Sequence, residues 1–173
     1  MRQAIVLLLL ACALPAAAEV QLQSARWQVA GGPKEQSGKP EDVTNVPLDR
    51  QGKLNGRLRA RVKLLNRGRG VEGVLLRYEL TAQIAPAGPS DAALSPIWAV
   101  AFAIDEKRVP KIDANQFKEV DIDPTAALTL YLKRLQNAGY TASMIRLEVM
   151  VEPRPGQPAS QKLETSIPVG TGA

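Results

Sequence analysis

The sequence contains no histidine. That absence removes Ser-His-Asp and Cys-His nucleophilic catalysis, and histidine as a general base or metal ligand. Cysteine is almost as scarce, with Cys12 standing alone. One cysteine makes no internal disulfide, so stability must come from a packed core. Structural zinc, copper and iron–sulfur sites lose their usual ligands with it. Aromatic residues make up 4% of the chain, which offers nucleic acid no stacking platform. There is no Ser-x-x-Lys and no glycine-rich loop ending in Gly-Lys-Ser/Thr. No catalytic residue, cofactor or metal site is expected from these counts.

What the chain does have begins at its N-terminus, MRQAIVLLLLACALPAAAE. Arg2 supplies a positive start, Ile5 to Ala11 a short apolar run, and Ala16-Ala17-Ala18 a small-residue cleavage pattern. The run is too short to span a bilayer, which takes about 20 apolar residues. Residues 1–18 therefore read as a secretory signal peptide, and Glu19 as the first mature residue. Leu9-Leu10-Ala11-Cys12 also resembles the lipobox of bacterial lipoproteins, in which the cysteine is lipidated. The alanine site six residues on is the stronger signal. The expected location is periplasmic or extracellular, with anchoring at Cys12 as the alternative. No later segment is apolar and long enough for a transmembrane helix. Loss of Arg2 with the leader leaves 21 basic against 17 acidic residues, a mild excess of +4.

Residues 19–173 suffice for one domain. Val20 to Val29 reads as a strand whose alternation changes phase near Ser24, the mark of a bulge. Gly31 to Gly56 is polar and reads as a long loop. Leu58, Ala60, Val62 and Leu64 then alternate with Arg57, Arg59, Arg61 and Lys63, a half-buried strand with a charged outer face. After the turn Asn66 to Gly70, residues Val74, Leu76, Tyr78, Leu80, Ala82 and Ile84 alternate with polar ones. Two such runs joined by a turn predict an antiparallel hairpin.

Pro86 to Pro96 reads as a loop. Ile97 to Ile104, IWAVAFAI, is apolar on both faces and reads as a central strand covered on both sides. Asp105-Glu106-Lys107-Arg108 reads as a charged turn, and Phe117 to Ile122 as a short strand. Asp123-Pro124 is a helix-start pair, and Leu128, Tyr131, Leu132 and Leu135 follow at helical spacing up to the stop at Gly139. One amphipathic helix is predicted at 124–137. Ile145, Leu147, Val149 and Val151 form another alternating strand. PRPGQPAS is a loop, and Leu163 to Val169 a last strand that Pro168 places at a sheet edge.

The fold class that results is mainly β: a two-sheet antiparallel sandwich of about seven strands, with the one helix before the penultimate strand. This layout is similar to immunoglobulin-like and fibronectin type III-like domains. The resemblance is architectural and rests on strand spacing and on Tyr140, which stands where such folds carry a corner tyrosine. The antibody-type Cys…Trp…Cys signature is absent. Trp27 and Trp98 have apolar neighbours and read as core residues. Met144 and Met150 read either as an adaptable contact surface or as packing beneath the helix.

Two features carry chemistry. The first is the basic ladder Arg57, Arg59, Arg61 and Lys63 on one strand face, extended into the turn by Arg67 and Arg69. Its steps are about 6.6 Å. Either an anionic lipid or glycan neutralises it, or acidic residues such as Glu72, Glu79, Glu148 or Glu164 lie opposite. The second is the pair Asp121 and Asp123, read as a solvated strand residue and a helix cap, or else as an acid–base pair. Three functions follow. The first is an exported, non-enzymatic module that binds another envelope protein through sheet edges or strand faces, the last strand being the candidate edge. The second is a binder of anionic surfaces. The third is a carboxylate-only hydrolase of glycans or esters. Nucleic acid is not an expected partner.

Overall fold

The computed structural model describes residues 20–31, 39–88, 95–153 and 161–171. Residues 1–18, read above as a leader and containing Cys12, the loop segment 89–94 and all but Pro153 of PRPGQPAS lie outside the described residues. Ten strands and one helix follow in order: β1 (Val20–Ala30), β2 (Glu41–Asp42), β3 (Val46–Leu48), β4 (Arg57–Asn66), β5 (Val71–Pro86), β6 (Ile97–Trp98), β7 (Ala103–Ile112), β8 (Phe117–Ile122), α1 (Thr125–Asn137), β9 (Tyr140–Val151) and β10 (Lys162–Thr171).

They form two sheets. The first runs β2-β1-β4-β8 and is antiparallel throughout. The second runs β3-β10-β9-β5, and the far side of β5 is shared by β7 along Val71–Leu80 and by β6 at Gln83–Ile84. The β3–β10 pair is parallel. The period-two pattern explains why the sheets meet face to face. Leu58, Ala60, Val62 and Leu64 of β4 are wholly buried, as are Leu76 and Ala82 of β5 and Ile145 and Leu147 of β9. All belong to one apolar cluster. Each Leu, Ile or Val among them contributes about 1.5–3 kcal/mol on burial.

The helix links β8 of the first sheet to β9 of the second. It begins at Thr125, whose N–H donates to Asp123 Oδ1 at 3.0 Å, so the expected capping acid does satisfy the start. It ends where Gly139 takes a φ of 78°, the left-handed conformation that glycine enters without a Cβ clash. Leu128 and Leu135 are buried on its inner face, and the Tyr131 ring stacks on Phe102 at 4.4 Å.

Several expectations change. The phase shift in β1 is present, between Leu22 and Ser24. β4 and β5 do not form a hairpin, because they belong to opposite sheets and the turn between them crosses the sandwich. The stretch 31–56 carries β2 and β3, and Val46 enters the core. Among the described residues there are ten strands, where about seven were expected. Asp105–Arg108 is strand rather than turn, paired to Leu75–Tyr78. Ile97–Ile104 is not a central strand: only Ile97–Trp98 and the start of β7 pair with β5, and the segment is largely exposed. Tyr140 opens β9 opposite Pro86 with 40% exposure, and its hydroxyl makes no hydrogen bond among the described residues. β10 is an edge only in part. Among the described residues Lys162–Pro168 pairs with β9, and Val169–Thr171 pairs with β3, which takes the outermost place in the strand order.

Candidate functional site

The basic ladder sits on the outer face of the first sheet, where β4 lies between β1 and β8. Register places Arg61 opposite Asp121 on one side and Arg26 on the other, and Lys63 opposite Glu119. Arg61 Nε and Nη2 donate to Asp121 at 2.8 and 3.1 Å, a two-pronged pairing that fixes both side chains. Arg59 Nη1 reaches the same carboxylate at 3.2 Å. Arg57 donates to Asp123. Glu119 lies 3.6 Å from Arg61 and 3.9 Å from Arg26, and Arg26 also pairs with Asp42 at 3.3 Å. Lys63 Nζ stands 4.1 Å over the Phe117 ring.

The cations of β1 and β4 are therefore flanked by acids, Asp42 of β2 on one side and the carboxylates of β8 on the other. The counter-charges are Glu119, Asp121 and Asp123 of β8 and the loop after it, and not Glu72, Glu79, Glu148 or Glu164, which belong to the other sheet. A signal for this existed. In FKEVDID the acids alternate with Val120 and Ile122, the mirror of the Arg/Leu alternation in β4. Arg67 and Arg69 stay exposed in the turn and join no ion pair among the described residues.

The electrostatics follow from this packing. The hydrogen bond from Arg61 is the main cause that holds the Asp121 carboxyl below the usual carboxylate range, against partial burial, and Arg59 adds to it. Burial pushes Asp123 up, but hydrogen bonds from Thr125 and Arg57 outweigh it and its carboxyl also ends low. Both carboxylates are thus ionised ion-pair partners.

A second charged cluster lies on the outer face of the other sheet. Glu148 is buried there and is opposed across the strands by Glu79 and Glu164. It survives as an anion because Lys162 donates to it and Arg146 lies 3.4 Å away. The Lys162 hydrogen bond is the chief cause lowering its carboxyl. Arg146 also donates to Thr81 Oγ1 at 3.1 Å and covers the Trp98 ring at 4.2 Å. Trp27 is in the core as expected, with its indole N–H buried and unpartnered, while Trp98 is 39% exposed on the outer face. Met150 is exposed on the same strand, β9. Among the described residues no group of three or more acidic, cysteine or histidine side chains could hold a metal ion, and no helix is long and apolar enough to cross a membrane.

Exposed apolar surface concentrates elsewhere. Ile97 is 64% exposed, Val100 88% and Ile104 75%. All three fall on the β6–β7 side of β5, the margin of the second sheet. Composition points to these residues as core, so their exposure is the feature that sequence reasoning missed. A contact surface leaves such residues in water until the partner arrives. No protein-family model matches the chain, and a search of curated proteins finds no match.

Proposed function

We propose that this chain is an exported, non-enzymatic β-sandwich module of immunoglobulin/fibronectin III-like type, which binds another protein of the cell envelope. One observation carries the reading: the apolar side chains of Ile97, Val100 and Ile104 stand in solvent along one sheet margin. Three large aliphatic residues within eight positions cost solubility when bare, and a partner recovers that cost. The leader at 1–18 supports export.

The charged ladder supports a structural role better than recognition of anionic lipid or glycan. Its guanidinium groups are already bonded to carboxylates, and a polyanion must first displace them. Hydrolysis by Asp121 and Asp123 is disfavoured on similar grounds. A glycan hydrolase needs one carboxyl raised so that it can donate a proton, and both of these are lowered.

The test is photo-crosslinking in the native cells, with the crosslinker placed at Val100, at Ile104 and, as control, at exposed Glu41 on the first sheet. Discrete adducts from the first two sites and none from Glu41 are expected. Equal labelling from all three would end the proposal. Mass spectrometry of the N-terminus checks export: a chain beginning at Glu19 is expected, and an uncleaved Met1 form in the cytosol would contradict it.

A further inference from the structure

The charges of β7 are arranged to receive a second copy of the same strand. β7 bonds to β5 on one side and, among the described residues, to no strand on the other. Pro110 has no N–H, so its nitrogen belongs on the side away from β5. Alternation then turns the main-chain groups of Ile104, Glu106 and Arg108 outward. The neighbouring bonds agree. Phe102 N–H donates inward to Leu80 O, and on the other side of β5 Glu152 N–H donates to Leu75 O. The Glu106 N–H makes do with the Asp105 carboxylate, at 2.8 Å. Side chains from Ile104 to Arg108 are exposed throughout, so neither face of this stretch is covered. Glu106, Lys107 and Arg108 make no ion pair among the described residues.

We propose that β7 pairs with β7 of a second copy about a two-fold axis normal to the sheet, with Glu106 opposite Arg108 of the second copy and Arg108 opposite its Glu106. A two-fold of this kind joins only residues of like alternation, and Asp-Glu-Lys-Arg satisfies it: each acid has a base two positions on. In this register Glu106 and Arg108 exchange both main-chain bonds, twice over. Pro110 falls at the end, opposite Ile104, where its missing N–H costs least. Lys107 meets Lys107 of the second copy at the centre, with Asp105 of each copy on the diagonal of the same face to offset the repulsion. Ile104 is drawn out of water at both ends. The inference rests on reading this margin as the contact surface and names an occupant for it.

Sedimentation equilibrium of the chain from Glu19 onward, from about 1 µM to about 1 mM, reads the association directly. A monomer–dimer equilibrium is expected. Glu106→Arg places Arg opposite Arg twice and should raise the dissociation constant about tenfold or more, and Arg108→Glu should do the same. The double variant Glu106→Arg/Arg108→Glu restores both pairs in reverse and should return to within about threefold of the original. Circular dichroism checks that each exposed-site variant is folded. A monomer across the whole range would overturn the proposal. So would a dimer indifferent to the single reversals, or a double variant no better than the singles. A monomeric chain that still forms Val100 adducts with a different protein sinks the second copy and leaves the binding module standing. The absence of every adduct, self-adducts included, removes both.

Discussion

The outer face around β4 and the margin along β6–β7 are both strongly charged or apolar in sequence, yet they end in opposite states. On β4 every ladder cation finds a partner on a neighbouring strand: Asp121, Asp123 or Glu119 for the arginines and the Phe117 ring for Lys63. On β7, Glu106, Lys107 and Arg108 find none among the described residues, and Ile97, Val100 and Ile104 remain in solvent. The difference is position. β4 is an interior strand, and β7 is marginal. A charged residue on an interior strand can be satisfied from either side, whereas a marginal strand keeps half its options for something outside the chain. The contrast separates charge paired within the fold from charge that the described residues leave unpaired.

The sharpest way to break the comparison is at Asn66, which joins the two regions. It lies at the end of β4, fully buried, and its amide donates to the carbonyls of Arg69, Ile112 and Asp113 while accepting from Gly68 N–H. Asn66→Ala leaves these groups unpaired and should cost about 2 kcal/mol in chemical denaturation. Hydrogen exchange should also rise around Ile112, where β7 is moored. If β7 alone loosened and the global midpoint held, the two regions would be less connected than the hydrogen bonds imply.

Asp121→Asn tests the satisfied side. It leaves Arg59 and Arg61 facing one another without their carboxylate, and about 1 kcal/mol of stability should go, since these groups are partly open to water. The pH dependence follows from the direction of the shift. The folded-state value lies below the ordinary 3.8, so the contribution is present above that value and is lost as pH falls through the lower one. Acid unfolding curves of wild type and Asp121→Asn should therefore begin to approach one another below about pH 4 and meet only below the depressed folded-state value. A constant gap down to the lowest pH would show that packing, and not charge, is what the substitution disturbs.

The smallest effect is expected at the margin. Val100→Ser removes an apolar side chain that is already 88% exposed, so stability should stay within about 0.5 kcal/mol of wild type. The same substitution should abolish crosslinking from Ile104. Together these outcomes separate a contact residue from a fold residue, and a large destabilisation by Val100→Ser would erase the distinction.

Sequence patterning reveals faces but not neighbours. The alternation of β4, β5 and β9 names their aliphatic core side chains, because burial on a strand has a period of two, but it misses Thr81 and Glu148, which are buried on the opposite face. Nothing in that period says which strand lies beside which. Leu58–Leu64 and Val74–Ile84 therefore read as a hairpin, although they face one another across the core. The helix is legible to within a residue, since Asp123, Pro124 and Gly139 act locally. IWAVAFAI is misread because apolar composition stands for burial only when the segment has cover on both sides. Asp105–Arg108 is misread because a charge run looks like a turn until pairing with β5 overrides local preference. The ladder's cations are plain in the sequence, but their acids lie some sixty residues away, as for Arg61 with Asp121.

β3 draws out one more consequence. Among the described residues, Val46–Leu48 finds its partner strand in Val169–Thr171, more than a hundred positions on, and β1 and β4 likewise wait for strands distant in sequence. Loops this wide must close before their contacts reward the closure, so assembly is slow. Under the export proposed above, slowness is useful: the polypeptide stays threadable until it has crossed, and locks only afterwards.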